Sequence, residues 1–174
     1  TFAKWPVGSE VFYHIDAPNN DGLSNECVID DIVNGANAWS DVTAGINLTH
    51  NINPGSGVVG LNEVNDIIMR DESNGSAIAV TYTWYLRKGR QIVEFDMLFY
   101  DETWTFYSLS CSPGSCDGDP YGFYIETIAT HEFGHGIGID HNRCPESIMY
   151  PYADNCMTNT LTVDDEACVS NLYK

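Results

Sequence analysis

Eleven consecutive residues near the end of the chain constrain its fold more than any other feature. They run from His131 to His141 and read His-Glu-Phe-Gly-His-Gly-Ile-Gly-Ile-Asp-His. Because His131 and His135 are four positions apart, a helix places both imidazoles on one face, one turn apart. Gly138 lies one turn further on, where a left-handed glycine can end a helix and reverse the chain. We therefore expect a helix followed by a sharp turn that returns His141 to the other two histidines.

This spacing is typical of a catalytic zinc site. Neutral imidazoles from His131, His135 and His141 can bind one zinc ion and leave a fourth position for water. Zinc lowers the pKa of such a water to about 7, so Glu132 can accept its proton as general base. The alternative is a histidine-rich helix end that only caps and packs. Three of the chain's five histidines lie within this segment, which argues against that alternative.

Composition limits the partners of the chain. It has 174 residues, of which 43% are hydrophobic, enough for one domain with its own core. Twenty-five acidic against seven basic residues give a formal net charge of −18, which repels phosphate backbones and argues against nucleic-acid binding. No run approaches the roughly 18 apolar residues of a membrane span, so no membrane partner is expected. The chain begins at Thr1 without an initiator methionine or an apolar leader, so we expect a processed form.

Hydrophobic periodicity predicts an α+β fold. Alternating, β-branched and aromatic residues predict strands at 7–15, 76–85 and 91–100. Apolar residues at spacings of three and four predict helices at 27–39, 124–136 and 162–172. Thr162 is the expected N-cap of the last helix. We expect one domain over 1–174, with an N-terminal lobe at about 1–138 and a small irregular C-terminal lobe at about 139–174.

A second motif follows the histidines. Residues 147–151 read Ser-Ile-Met-Tyr-Pro, and Met149 stands eight positions after His141. Together the two motifs resemble the metzincin zinc peptidases, whose pattern is HExxHxxGxxH followed by a methionine turn, and among them the matrixins most. The resemblance implies a metzincin-type domain with a mixed twisted sheet, an active-site helix, and Met149 packed beneath the histidines. The alternative for Met149 is an ordinary core methionine.

The resemblance also implies a function. We expect a secreted, extracellular zinc endopeptidase that hydrolyses proteins or peptides through a zinc-activated water, with Glu132 as general base, and that acts as a monomer. Whether an inhibitory propeptide accompanies it stays open. Two other classes compete: a non-proteolytic, deformylase-like HExxH hydrolase, and a non-catalytic binding module on a peptidase fold. His141 and Met149 argue against the first, and the intact Glu132 argues against the second.

Substrate is expected to lie beside an exposed sheet edge. The family's edge strand corresponds to residues 76–82, which include Ala77, Ile78 and Ala79. An extended peptide can pair with such an edge through main-chain hydrogen bonds. Tyr150, Pro151 and the loop 152–161 are expected to wall a specificity pocket. The alternative is that residues 76–82 form an interior strand.

Some residues depart from the matrixin pattern. Animal matrixins build a second, structural zinc site from three histidines and an aspartate, and only His14 and His50 remain here for it. Glu102 matches the family's calcium-binding glutamate, whereas Phe99 replaces the aspartate expected three residues earlier. The resemblance therefore leaves calcium open beside one catalytic zinc.

Six cysteines without a CxxC pair predict three disulfides formed outside the cytosol, the alternative being six buried thiols in a cytosolic protein. Such cysteines are foreign to the animal catalytic domain and suggest a microbial or otherwise divergent member. A turn-forming Ser-Pro-Gly-Ser segment favours the first pair, the flanks of the methionine turn favour the second, and the third remains. The expected bridges are Cys111–Cys116, Cys144–Cys156 and Cys27–Cys168.

Overall fold

The computed structural model describes residues 3–111 and 115–174. Its elements, in chain order, are β1 Ser9–Asp16, α1 Asn25–Ser40, β2 Ile46–His50, β3 Asp66–Arg70, β4 Ala79–Leu86, β5 Gln91–Tyr100, β6 Thr105–Tyr107, β7 Gly122–Tyr124, α2 Ile125–Gly136 and α3 Val163–Leu172. Five strands form one sheet in the order β2-β1-β3-β5-β4. All neighbours are parallel except β4, which is antiparallel to β5. This mixed sheet with three helices confirms the predicted α+β fold.

The three predicted helices are present, and their ends follow from capping. Ser24 accepts a hydrogen bond from Cys27 N and caps α1, while Thr162 and Asp165 form a reciprocal capping box at α3. In the described part of the chain, none of the helices combines the length and the apolar character that crossing a bilayer requires. The strands β2, β3, β6 and β7 were not predicted, because each has five residues or fewer, which is too short for a periodic pattern to stand out.

Aromatic packing fixes α2 against the sheet. Phe133 of α2 is fully buried and meets Tyr13 and Phe95 edge-on, with ring centroids 5.1 and 6.0 Å away. Trp39 of α1, also fully buried, donates from Nε1 to the carbonyl oxygen of Thr130 at 2.7 Å. These contacts bury one side of α2 in the core. The opposite side is left to face a cleft beside β4.

The predicted disulfide pairings are wrong. The structure pairs Cys27 with Cys111 and Cys116 with Cys156, with Cα–Cα distances of 5.6 and 5.3 Å. It leaves Cys144 and Cys168 as exposed thiols, so the expected Cys144–Cys156 and Cys27–Cys168 bridges are absent along with Cys111–Cys116. Residues 112–114 of the expected turn lie outside the described residues.

Tertiary hydrogen bonds explain the observed pairings. The Asp31 carboxylate in α1 accepts from Leu109 N and Ser110 N at 2.9 and 2.8 Å, which draws the segment before Cys111 onto the helix that carries Cys27. Cys156 N donates to Gly122 O at 3.0 Å, which holds Cys156 beside the segment that follows Cys116. Both contacts join segments that are far apart in sequence, so the spacing of the cysteines along the chain could not predict them.

Candidate metal centre and substrate cleft

Three histidine nitrogens converge at one end of α2. His131 Nε2 lies 3.2 Å from His135 Nε2 and from His141 Nε2, and the third distance is 3.1 Å. Nitrogens bound tetrahedrally to one zinc ion, each about 2.0–2.1 Å from it, would lie about 3.3–3.4 Å apart. The observed spacing is close to that value. In the described part of the chain, these histidines are the one group of three or more His, Cys, Asp or Glu side chains whose ligand atoms all lie within 4.8 Å of one another.

Backbone carbonyls orient two of the imidazoles. His131 Nδ1 lies 2.6 Å from Ile148 O, and His135 Nδ1 lies 2.8 Å from Ile139 O. Because Nδ1 donates its proton to these carbonyls, each Nε2 keeps the lone pair that a metal needs. Burial lowers the pKa of His131 and of His135, which favours the neutral, metal-binding form.

The turn after α2 delivers the third histidine. Gly138 has a φ of +92°, the left-handed conformation expected of it. A Cβ on Gly138 would lie 2.0 Å from the carbonyl oxygen of Ala3, so a larger residue would clash with backbone as well as being strained. The reversal lets Ile139 N donate to Gly134 O at 2.8 Å and carries His141 back toward α2.

Met149 packs against the backbone of α2 between the two helical histidines. Its side chain is fully buried, and a Cβ on Gly134 would come within 2.3 Å of its sulfur. Asn142 N donates to Met149 O at 3.0 Å, which connects the segment after His141 to the methionine turn. The sulfur therefore touches the helix, as expected of a floor beneath the histidines.

Asp165 supports this turn from α3, a contact that the sequence analysis missed. The buried Asp165 carboxylate accepts from the hydroxyl of Ser147 and, at 3.2 Å, from Ile148 N. The same carboxylate accepts from Thr162 N at 2.9 Å, so it also caps its own helix. The sequence signal was the capping pattern alone, which gives no hint of the second contact.

Glu132 points into the cleft beside the histidines and is held by a neighbour on β4. Its side chain is 6% exposed, and Oε2 accepts from the hydroxyl of Thr81 at 2.7 Å. Burial raises the pKa of Glu132, while the nearby His135 and the Thr81 hydrogen bond oppose the rise. Thr81 was not predicted as a site residue. Its place within the edge strand was the only available signal.

A cleft of about 1030 Å³ runs beside β4 and past the three histidines. β4 is an edge strand of the sheet, so residues 79–82 of the predicted edge lie where expected, whereas Ala77 and Ile78 precede the strand. The predicted pocket residues all line this cleft: Ala77, Ile78, Ala79, Tyr150 and Pro151. Aromatic residues that were not predicted add to its wall, namely Trp104, Tyr121 and Phe123.

The wall beyond Pro151 is tied to the ribbon of β6 and β7. Asn155 Nδ2 donates to Pro120 O at 2.6 Å, and the Cys116–Cys156 disulfide joins the same two segments. Tyr121 and Phe123 therefore line the same cleft as Tyr152 and Ala153 of the loop 152–161.

The other histidines lie away from this centre. His14 Nδ1 lies 2.7 Å from Asn53 O, and the ring of His50 stacks on Tyr13 with centroids 5.7 Å apart. They belong to β1 and β2, on the side of the sheet opposite to β4.

Comparison with known proteins gives the family. The sequence profile of the matrixin peptidases matches residues 4–174. Matrilysin of Rattus norvegicus is 37% identical over 75 residues, 42% of this chain and 24% of matrilysin. Matrix metalloproteinase-2 of Drosophila melanogaster is 31% identical over 102 residues, 58% of this chain and 12% of that protein. Stromelysin-3 of Mus musculus is 33% identical over 81 residues, 47% of this chain and 14% of that protein.

The matched segments thus span a quarter or less of these relatives. The family profile, by contrast, matches almost the whole chain and includes the histidines, the glycine turn and Met149. The chain therefore belongs to the matrixin family.

Proposed function

We propose that this chain is a secreted zinc endopeptidase in which His131, His135 and His141 bind zinc and Glu132 is the general base. The observation that carries the proposal is the mutual spacing of 3.1–3.2 Å among the three Nε2 atoms. A histidine-rich helix end that only packed would have no reason to bring three lone pairs together. A zinc ion held there would supply Lewis acidity and acidify a water molecule.

The residues of the chain then divide the work. Glu132 takes a proton from the attacking water and later gives it to the departing amine. The hydroxyl of Thr81, 2.7 Å from Oε2, holds the carboxylate toward the cleft. The remaining Oε1 has no hydrogen bond from the described residues and is free to meet the water. Met149 and the turn that Asp165 supports keep the histidine-bearing segments in register.

The shape of the cleft favours a polypeptide as substrate. It follows the free edge of β4, where an extended chain can form main-chain hydrogen bonds. A small-molecule hydrolase would not need a cleft open along a strand. The two disulfides support the proposal of an extracellular location, because such bonds persist in oxidising compartments.

Casein cleavage with and without a chelator tests the proposal. The purified chain should contain one zinc ion, cleave casein, lose cleavage in the chelator and regain it when zinc is added. Cleavage that survives complete zinc removal would overturn it. A zinc-loaded chain that hydrolyses formylated amino acids but no protein would favour the deformylase-like alternative.

We also propose a calcium ion at Asp101, next to the Glu102 that matches the family's calcium ligand. Asp101 Oδ1 is buried and has no hydrogen-bond partner among the described residues. Burial and the neighbouring Asp71 raise the pKa of Asp101. Among the described residues, side chains do not converge here as they do at the histidines, so backbone carbonyls and water must complete the coordination. Calcium should raise the melting temperature, and Asp101→Asn should abolish the rise; an equal rise in both proteins would refute the site.

A further inference from the structure

Positive charge is concentrated at one end of the edge strand. The chain has seven lysines and arginines, and three of them, Arg87, Lys88 and Arg90, belong to the turn 87–90 between β4 and β5. All three are exposed. In a chain with a net charge of −18, it is unusual for one turn to contain nearly half of the cations. Such a cluster either forms contacts that stabilise the fold or is available to bind another molecule.

Two of these cations, Arg87 and Lys88, form no stabilising contact among the described residues of the fold. The side chains of Arg87 and Lys88 make no hydrogen bond or ion pair with the part of the chain that the structure describes. Of the cations outside the turn, Lys4 donates to the carbonyl oxygen of Leu172, Arg70 lies 3.9 Å from Glu72, and Lys174 donates to Asn171. The exposed side chain of Arg143 has no such contact with the described residues, but it stands alone in its loop, whereas Arg87 and Lys88 are adjacent. The charges of Arg87 and Lys88 are therefore available to a ligand.

The cleft leads toward this turn. Thr81 and Thr83 of β4 both line it, as does Ile92 of β5, which pairs with Tyr85 beyond the irregularity at Trp84. Thr81 also contacts Glu132, so it marks the position of the reacting bond along the strand. Arg87 follows six residues later, which is about 20 Å along an extended strand.

We propose that the turn 87–90 binds an acidic segment of the protein substrate, in an extension of the cleft. The inference rests on the proposed endopeptidase function. An antiparallel peptide, the commoner arrangement, would carry these acids about six to eight residues before the hydrolysed bond. Screening at physiological salt limits charge effects to about 8 Å, so the local turn outweighs the distant acids that make up the net charge.

Three matched peptides test this preference for acidic residues. All share one apolar sequence around the scissile bond; one carries two glutamates six and seven residues before that bond, a second carries glutamines there, and a third carries the glutamates after the bond. The first should have a kcat/KM about three- to ten-fold above the second and third at low salt, the range that one or two exposed charge pairs provide. The advantage should disappear at about 0.5 M salt.

Variants separate the turn from the overall charge. Arg87→Gln with Lys88→Gln should erase the advantage of the glutamate peptide and leave the glutamine peptide unchanged. Arg70→Gln with Lys174→Gln changes the net charge equally at other sites and should retain the advantage. No advantage in the wild-type protein, an advantage for glutamates after the bond, or an equal loss in both variants would overturn the inference. Cleavage of the glutamine peptide, with its sensitivity to a chelator, tests the proposed function separately.

Discussion

At the scale of single residues, the hydroxyl of Thr81 makes the sharpest prediction about the proposed base. Thr81→Val removes the hydrogen bond at 2.7 Å from Glu132 Oε2 and keeps the size of the side chain. Hydrogen bonds to charged groups contribute about 1.5–3 kcal/mol, so we expect kcat to fall about ten-fold or more with KM nearly unchanged.

Thr81→Ser is the matched control, because it restores the hydroxyl and should restore most of kcat. Zinc content and melting temperature should be the same in both variants. A Val variant with wild-type kcat, or a Ser variant as slow as Val, would show that the hydroxyl does not position Glu132.

His141 is the most exposed of the three proposed ligands, so removing it should affect the metal more than the fold. His141→Ala leaves two protein ligands, and zinc should be lost during dialysis against a mild chelator. The melting temperature without metal should be unchanged. His14→Ala alters a histidine of β1 and should keep its zinc; equal retention in the two variants would argue against His141 as a ligand.

At the scale of elements, the two disulfides have different predicted roles. Cys116–Cys156 joins the ribbon of β6 and β7 to the pocket loop, whereas Cys27–Cys111 ties α1 to a segment away from the cleft. Replacing the first pair by serine should raise KM for peptides with a large apolar side chain in the pocket. Replacing the second pair should leave KM unchanged.

The loss of stability should instead be larger when Cys27–Cys111 is replaced than when Cys116–Cys156 is replaced. The sequence separations are 84 and 40 residues for Cys27–Cys111 and Cys116–Cys156. The chain-entropy relation then predicts contributions of about 4.6 and about 3.9 kcal/mol. Thermal melts and KM measured on both serine variants check this division, which fails if KM rises equally in both.

The elements also show what sequence reasoning could reach. The helix bearing His131 and His135, the turn at Gly138 and the cap at Thr162 depend on local chemistry, and the structure contains all three. β3 escaped prediction because it is flanked on both sides by strands and buried on both faces, so its residues do not alternate. The contacts of Asp165 and Thr81, and the cysteine pairing, depend on segments far apart in sequence, which no local pattern encodes.

At the scale of the whole molecule, excess acid must be accommodated with few cations. Glu94 and Asp96 are fully buried, and backbone N–H groups of Asn62 and Gly60 donate to them at 2.9–3.0 Å. Such amides replace basic partners in holding the loop before β3 across the sheet. Acids without enough donors are expected to reduce stability as they ionise.

Asp21 should show that cost. Burial, together with Asp101 and Asp119, raises the pKa of Asp21 to about 6. The folded chain then binds this proton more tightly than the unfolded chain. The protonated Asp21 therefore contributes to the free energy of unfolding in full below about pH 4, and this contribution is lost as the pH rises through 6. Since Asp21 is partly exposed, solvent reduces the loss to about 1–2 kcal/mol.

Asp21→Asn removes the ionisation and keeps an acceptor for Phe106 N, which lies 2.8 Å from Oδ2. The variant should unfold at higher denaturant than the wild type at pH 7 in calcium-free buffer, and the difference should vanish at pH 4. A variant that is less stable at pH 7 under these conditions would contradict the assigned direction.

One measurement tests the central claim most directly: zinc content and peptide hydrolysis measured together on Glu132→Ala. The substitution removes the proposed base and none of the three histidine nitrogens that lie 3.1–3.2 Å apart. We predict one zinc ion per chain, as in the wild type, and hydrolysis reduced at least about a thousand-fold, within the range expected for loss of a general base. A variant that keeps more than a few per cent of wild-type hydrolysis with its zinc bound would contradict the account.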